Sequence, residues 1–351
     1  MNISDAERVS AVLESIKYKR TKNMNEANLL AVVMCSVRQS AVDRVHGLKT
    51  QILKLKSQNQ NAKPKTILTG CILKKDRKKL SEIFDYIIDI KDIRQLPEII
   101  NGEFFASRQK THQNYLDITP KYENKFSANV PIMTGCNNFC SYCVVPYTRD
   151  REISRPVKEI ISEIKNLIKR GYKEIWLLGQ NVNSYSNVLE NNRIVNFPKL
   201  LKMVNDVTGE FKLNFLSSHP KDFSDELIET MVKCQKLSKR LNLPIQSGDD
   251  KILKKMNRPY TVAQYKNLVK KIRKAIPDIS LSTDVIVGFT GETKKQFENT
   301  VKIFKEIGFD IAYINKYSPR SGTAAARMKD DVPWAEKKRR EKILIDLINA
   351  K

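Results

Sequence analysis

Residues 129–178 read NVPIMTGCNNFCSYCVVPYTRDREISRPVKEIISEIKNLIKRGYKEIWLL, and the fold turns on how this stretch is parsed. A short apolar strand pattern at Asn129–Met133 runs into a loop that carries three cysteines. A helix pattern follows over Val157–Tyr172, where Val157, Ile160, Ile161, Ile164, Leu167 and Ile168 make one apolar stripe. A second strand pattern then covers Glu174–Leu178. Strand, helix, strand at this spacing is one parallel βαβ unit. Moving outward, further strand patterns lie at Phe211–Leu216, Arg240–Ile245, Ile279–Val287 and Asp310–Tyr317, with helical stretches between them. Six such units over about 190 residues predict a partial (β/α)6 TIM-like barrel, short of the eight-unit form. A basic amphipathic helix is predicted over Ala335–Lys351.

Upstream, helix and strand patterns also alternate. Ser4 with Glu7 reads as a capping box ahead of Val9, Val12, Leu13 and Ile16 at helical spacing. The apolar run from Asn28 to Cys35 predicts a strand buried on both faces. A helix is expected from about Arg38 to Ser57, a strand at Lys65–Thr69, a helix from about Lys74 and a short strand near Tyr86–Ile90. The expectation is an N-terminal parallel-sheet α/β domain over 1–100, a polar linker over 101–125, and the barrel with its last helix over 126–351. This first domain opens on a helix with no strand before it, so the expectation is that it is truncated at its start.

The 351 residues carry 63 Lys and Arg against 39 Asp and Glu, a net charge of +24, which favours a polyanionic partner and points first to nucleic acid. Hydrophobic residues at 41% exclude disorder for most of the chain. No apolar run reaches the ~18 residues of a membrane span, and the opening MNISDAERVS has no secretory apolar segment. The reading is a cytoplasmic protein with no membrane partner. In that reducing setting the six cysteines do not suggest disulfides.

Three of the six, Cys136, Cys140 and Cys143, fall within eight residues as C-x3-C-x2-C just after the first barrel strand. That is the face where barrels place their chemistry. Clustered thiolates suit a soft metal or an iron–sulfur cluster. Structural zinc wants a fourth ligand, and no Cys or His follows nearby. Three ligands on a four-iron cluster leave one iron open to a small molecule.

With Tyr142 before the last cysteine, this loop resembles that of the radical S-adenosylmethionine (SAM) superfamily. GCNNFCSYCVVPYTRDREISRP (135–156), LLGQNVNSY (177–185), SHPKDFSDELI (218–228), LPIQSGDD (243–250), MNRPYT (256–261), DVIVGFTGET (284–293) and YSPRSGT (317–323) are similar to its methylthiotransferases. MCSVRQSAVDRVHG (34–47) and LTGCILKKD (68–76) resemble that family's amino-terminal domain. The resemblance implies a [4Fe–4S] cluster on Cys136, Cys140 and Cys143 that binds SAM and cleaves it to a 5′-deoxyadenosyl radical. It also implies cofactor contacts from Tyr142, from Gly179, Gln180 and Asn181 to the methionine end, from Gln246, Ser247 and Gly248 to the ribose, and from Val285 and Gly288 to the adenine. Thr290 stands where the family usually has Pro, and Asn242 where it often has His.

By the same resemblance Cys35 and Cys71, each after a strand, are two of three ligands of a second [4Fe–4S] cluster tied to sulfur delivery. The third belongs to a Gly-Cys-Gln-Met-Asn motif, and Met1-Asn2 looks like that motif's end. Cys234 reads as core. The implied reaction adds a methylthio group to C2 of N6-isopentenyladenosine beside a tRNA anticodon. A flavodoxin- or ferredoxin-type electron donor and a monomeric state are expected. A tRNA-binding TRAM domain, which the family carries at its carboxyl end, is expected to be lacking. Alternatives are methylthiolation of threonylcarbamoyladenosine in tRNA or of a ribosomal-protein aspartate, and, in another class, a non-catalytic zinc-containing RNA-binding protein. Arg149, Arg151, Arg155 and Arg320 are read as clamps for a carboxylate or phosphate, or as solvated surface. The Lys-rich segments 49–56, 266–274 and 337–342 are read as solvated faces.

Overall fold

The computed structural model describes residues 1–58, 63–102 and 114–350. The chain divides into two compact units, Met1–Asn124 with Tyr147–Asp150, and Lys125–Pro146 with Arg151–Lys351. Among the described residues, no helix is long and apolar enough to cross a membrane.

The first unit runs α1 (Asn2–Ser15), β1 (Leu29–Met34), α2 (Gln39–Gly47), α3 (Lys49–Gln58), β2 (Lys65–Gly70), α4 (Lys74–Leu80), β3 (Tyr86–Ile87) and α5 (Leu96–Asn101). Its strands form one parallel sheet in the order β1-β2-β3. The central strand alternates its side chains between two cores. Ile67 packs with Val9, Val12 and Leu13 of α1, while Leu68 packs with Val42, Val45 and Ile52 of α2 and α3.

Four expectations change here. β1 is an edge strand packed on both faces, Leu29, Ala31 and Val33 on one core and Leu30 and Val32 on the other, but only Met34 in it is fully buried. The predicted helix over 38–57 is broken after Gly47 into α2 and α3. Because α1 starts at Asn2, Ser4 and Glu7 lie inside it and form no capping box; the Ser4 hydroxyl accepts from Arg8 instead. The linker expected over 101–125 falls partly at 103–113, outside the described residues. Its described remainder up to Asn124 belongs to the first unit, where Tyr115 and Leu116 are buried in the α1 core.

Glu7 is buried inside α1 with Oε2 unpartnered and Oε1 accepting from the Glu123 amide at 3.3 Å. Burial pushes its pKa from 4.5 up to about 7. The folded chain therefore keeps a proton that the unfolded chain releases above pH 4.5, and stability falls as pH rises from there to about 7. Glu7→Gln is expected to remove this slope and raise stability at pH 8 by about 1–3 kcal/mol. Urea melts of both proteins at pH 5 and pH 8 check it; parallel pH profiles would contradict the assignment.

The second unit contains β4 (Ser127–Pro131), β5 (Met133–Thr134), the first two residues of α6 (Val145–Thr148), β6 (Ile153–Ser154), α7 (Val157–Lys169), β7 (Glu174–Leu178), the hairpin β8 (Ser186–Val188) and β9 (Ile194–Asn196), and α8 (Phe197–Asn205). It continues with β10 (Lys212–Phe215), α9 (Asp225–Lys233), β11 (Arg240–Asn242), α10 (Asp250–Lys255), α11 (Val262–Ala275), β12 (Ser280–Val287), α12 (Lys294–Ile307), β13 (Ile311–Lys316) and α13 (Trp334–Asn349). The parallel strands pair in the orders β4-β7-β10 and β11-β12-β13. A parallel bridge from Leu213 to Leu237 joins the two halves into six strands in chain order. This is the partial barrel, and its strand ends all open on one side.

The helices follow from local chemistry. α7 buries Val157, Ile160, Ile164 and Leu167. α11 and α12 each start at a capping box, Thr261 with Gln264 and Thr293 with Gln296. The last helix is less solvated than its composition suggests. Lys337 is buried with its Nζ donating to Tyr317 O at 3.0 Å and to Asp330, and buried Arg340 pairs with Glu292 at 2.7 Å. Segment 337–342 is thus partly structural, because its cations meet carboxylates and a carbonyl inside the fold.

Candidate active site

The cysteine loop leaves β5 and is held by bonds to its main chain and to Ser141. Ser141 donates from its amide to Met256 O (3.0 Å) and from its hydroxyl to Lys255 O (2.8 Å). Ala325 N–H donates to Ser141 O at 2.7 Å, Asn257 Nδ2 to Phe139 O at 3.0 Å, and Cys143 N–H to Cys140 O at 2.9 Å. Phe139 holds a left-handed φ of 43°, a strained conformation for a bulky residue. The Arg151 guanidinium stacks 4.4 Å from its ring centre.

The three thiols lie within electrostatic reach of one another. Burial first, and then the neighbouring Cys140, push the Cys143 thiol up to about 12; burial also raises Cys136, which again feels Cys140. Burial and mutual repulsion both oppose three thiolates here, so a cationic centre is what would stabilise them. Among the described residues no three His, Cys, Asp or Glu side chains close on a point that would hold one metal ion. A four-iron cube takes one thiolate at each corner iron and suits a wider spacing. The donor set fits such a cluster.

Around the loop sits a buried polar shell that the sequence reading left without roles. Arg258 donates from Nη1 to Cys140 Sγ (3.5 Å), from Nε to the Tyr260 hydroxyl (2.9 Å) and from Nη2 to Pro244 O (3.2 Å). His219 packs edge-on to Tyr260, with ring centres 5.9 Å apart. Burial first, then Arg258 and Lys221, depress its pKa to about 2, so its imidazole is neutral. His219 Nδ1 accepts from the Lys221 amide, which leaves the ring proton on Nε2. Both residues lie in stretches already singled out, MNRPYT and SHPKDFSDELI. Their signal was a cation and an imidazole among apolar neighbours.

The predicted cofactor residues occupy the strand ends. Tyr142 is surrounded by Arg258, Cys140, Cys143 and Tyr260, and burial raises its hydroxyl pKa well above the usual value. Gly179 packs on Met133 and Val182. Five buried polar atoms beyond β7 and β10 have no hydrogen-bond partner: Gln180 Oε1, Asn181 Oδ1, Asn183 Nδ2, Ser218 Oγ and His219 Nε2. Buried polar atoms are nearly always paired, so this concentration at one end of the barrel fits a polar ligand such as SAM. Gln246 bridges to Val285 with φ 66°, and Ser247 is fully buried. Gly248 and Gly288 have a packing reason of their own. A Cβ on Gly248 would sit 2.5 Å from the Thr300 backbone of α12, and one on Gly288, where φ is 65°, would sit 2.4 Å from Lys337 Cγ.

In the first unit Cys35 follows β1 and Cys71 follows β2, and the buried Met1 amine feels both thiols. Arg149 does not clamp a phosphate. It is buried, donating from Nε to Cys71 Sγ (3.0 Å) and from Nη1 to the Tyr115 hydroxyl (3.0 Å), and it pairs with buried Asp5. Arg155 is also internal, donating from Nη1 to Pro131 O (2.9 Å) and to Glu163 (2.7 Å). Both cations were drawn inward by a carboxylate that sequence spacing did not reveal. Cys234 is buried at the end of α9.

A parallel barrel with a C-x3-C-x2-C loop after its first strand defines a radical SAM enzyme, which uses a [4Fe–4S] cluster and SAM; residues 130–304 match the Radical SAM superfamily. Residues 1–90 match the uncharacterized protein family UPF0004. In fold, the chain is similar to the radical SAM methyltransferase TsrM from Kitasatospora setae, with a TM-score of 0.66 at 13% identity over 92% of this chain and 73% of that one. It also resembles the cobalamin-dependent radical SAM enzyme OxsB, with a TM-score of 0.62 at 10% identity over 99% of this chain and 52% of that one. The tRNA-2-methylthio-N(6)-dimethylallyladenosine synthase of Clostridium novyi (strain NT) is 43% identical over 99% of this chain and 79% of its own length. The synthase of the same name from Thermoanaerobacter sp. (strain X514) is 41% identical over 99% and 76%. The chain belongs to the tRNA-2-methylthio-N(6)-dimethylallyladenosine synthase family of radical SAM methylthiotransferases.

Proposed function

We propose that this protein adds a methylthio group to C2 of N6-dimethylallyladenosine in tRNA, next to the anticodon. The carrying observation is the match to synthases of that name along 99% of the chain, with the cysteine loop at the open end of the barrel. Cys136, Cys140 and Cys143 hold the cluster, which when bound supplies one-electron cleavage of SAM and thereby hydrogen abstraction. Tyr142 and the ends of β7, β11 and β12 line the cofactor. Gly179, Gln180 and Asn181 meet its methionine end, Gln246, Ser247 and Gly248 its ribose, and Val285 with Gly288 its adenine. The first unit, through Cys35 and Cys71, serves a second cluster and sulfur transfer. Reaching C2 requires the adenine to leave its stack, which costs less in a loop than in a duplex. The net charge of +24 draws the RNA in, so binding weakens steeply as salt rises. We place the enzyme in the cytoplasm as a monomer, served by a small electron-transfer protein.

The test is mass spectrometry of tRNA nucleosides from a host lacking its own synthase, with and without this chain. The 2-methylthio nucleoside appears at the expense of its dimethylallyl precursor if the reading is right. A methylthiolated threonylcarbamoyladenosine or ribosomal aspartate instead would move the chain to another substrate.

A further inference from the structure

Arg258 is a buried cation with no carboxylate. It is 7% exposed, and among the described residues no Asp or Glu pairs with it. Its electrostatic neighbours are Tyr142, Tyr260 and Cys140, groups that are neutral until they lose a proton. Its hydrogen bonds run to the Tyr260 hydroxyl, to Pro244 O and to Cys140 Sγ, and the guanidinium carbon lies 5.1 Å from the centre of the Tyr260 ring. Four other deeply buried cations have an anion: Arg149 has Asp5, Arg155 has Glu163, Lys337 has Asp330 and Arg340 has Glu292, while buried Arg8 donates to Ser4 and to the Leu116 carbonyl. An uncompensated buried charge is strongly destabilising. Here two anchors, the Tyr260 hydroxyl and Pro244 O, aim it at the middle cysteine of the loop.

We propose that Arg258 is a positioning residue for the barrel cluster: its charge is matched by the thiolate of Cys140 and the net negative charge of the cluster that thiolate binds. The inference rests on Cys140 being a cluster ligand. Two consequences follow from the charge and the N–H···S bond. The guanidinium tightens retention of the cluster, as outer partners of metal ligands do. It also eases addition of an electron, because hydrogen bonds to ligand sulfurs and nearby positive charge raise a cluster's reduction potential.

The experiment compares the full chain with Arg258→Met and Arg258→Lys after anaerobic reconstitution with iron and sulfide. Three quantities are read: iron loss to a chelator, the midpoint potential from redox titration followed by electron paramagnetic resonance, and the melting temperature of the metal-free proteins. Arg258→Met is expected to lose iron ~10-fold faster or more and to show a lower midpoint, with Arg258→Lys recovering part of both. The metal-free Arg258→Met protein should melt no lower than the parent, because an unmatched buried cation has been removed. A merely structural arginine would give the opposite result, with the metal-free variant melting lower and the midpoint unmoved, and that result overturns the proposal. If the parent itself binds no cluster through Cys140, measured with Cys140→Ala alongside, the ligand assignment fails instead.

Discussion

Replacing Cys136, Cys140 or Cys143 by alanine is expected to reduce formation of 5′-deoxyadenosine from SAM under strong reductant to background, while the barrel stays folded. Hydrogen bonds that do not involve the thiols hold the loop. Ser141 is bound to Met256, Lys255 and Ala325, and Asn257 holds Phe139. The metal-free variants should therefore melt close to the parent. A cube held by two thiolates instead of three binds weakly and leaves a second iron exposed. Iron analysis, chromatography of the adenosine products and thermal melts check the three parts together. Sustained 5′-deoxyadenosine formation by any single variant would remove that cysteine from the ligand set.

The second large effect concerns folding of the first unit. Asp5→Ala is expected to cost about 3–5 kcal/mol, because it strands the Arg149 guanidinium in a buried site beside Cys71 and Tyr115. Asp5 and Arg149 side chains are 0% and 2% exposed, so neither charge has water to fall back on. The double variant Asp5→Ala/Arg149→Met should regain much of the loss, since both charges leave together. Urea unfolding of the parent, the two single variants and the double variant completes the cycle. Additive losses would show that the pair is not coupled. The same ion pair explains why the segment after the cysteine loop, Tyr147–Asp150, counts with the first unit although the chain on both sides belongs to the second. Arg149 is the anchor, and its partners Asp5, Cys71 and Tyr115 come from three separate parts of the sequence.

Strands and helices were legible wherever burial is periodic along the chain. The barrel strand at Glu174–Leu178 occupies the expected residues, and α7 buries Val157, Ile160, Ile164 and Leu167 of the expected stripe while Ile161 and Ile168 stay half-buried at its edge. The cysteine triplet was legible because it is local: all three thiols lie in one short loop whose spacing is written in the chain. The motifs at the strand ends were legible through resemblance. Local pattern failed where a residue's state depends on distant neighbours. The Ser4–Glu7 spacing is that of a cap, yet α1 begins before it and buries both side chains.

By itself, then, the sequence determined the alternation of strands and helices, the parallel barrel, the cysteine loop and the excess of positive charge, since each depends on residues close together or on a sum over the chain. Only the tertiary structure decided what the individual cations do. Arg149, Arg155, Lys337 and Arg340 are basic residues of ordinary surface appearance, and each turns inward to a carboxylate, the Arg149–Asp5 pair spanning more than a hundred residues of sequence. Arg258 turns inward to a sulfur instead. A charge becomes structural or functional according to what burial leaves beside it, and that is fixed only when remote segments close on one another.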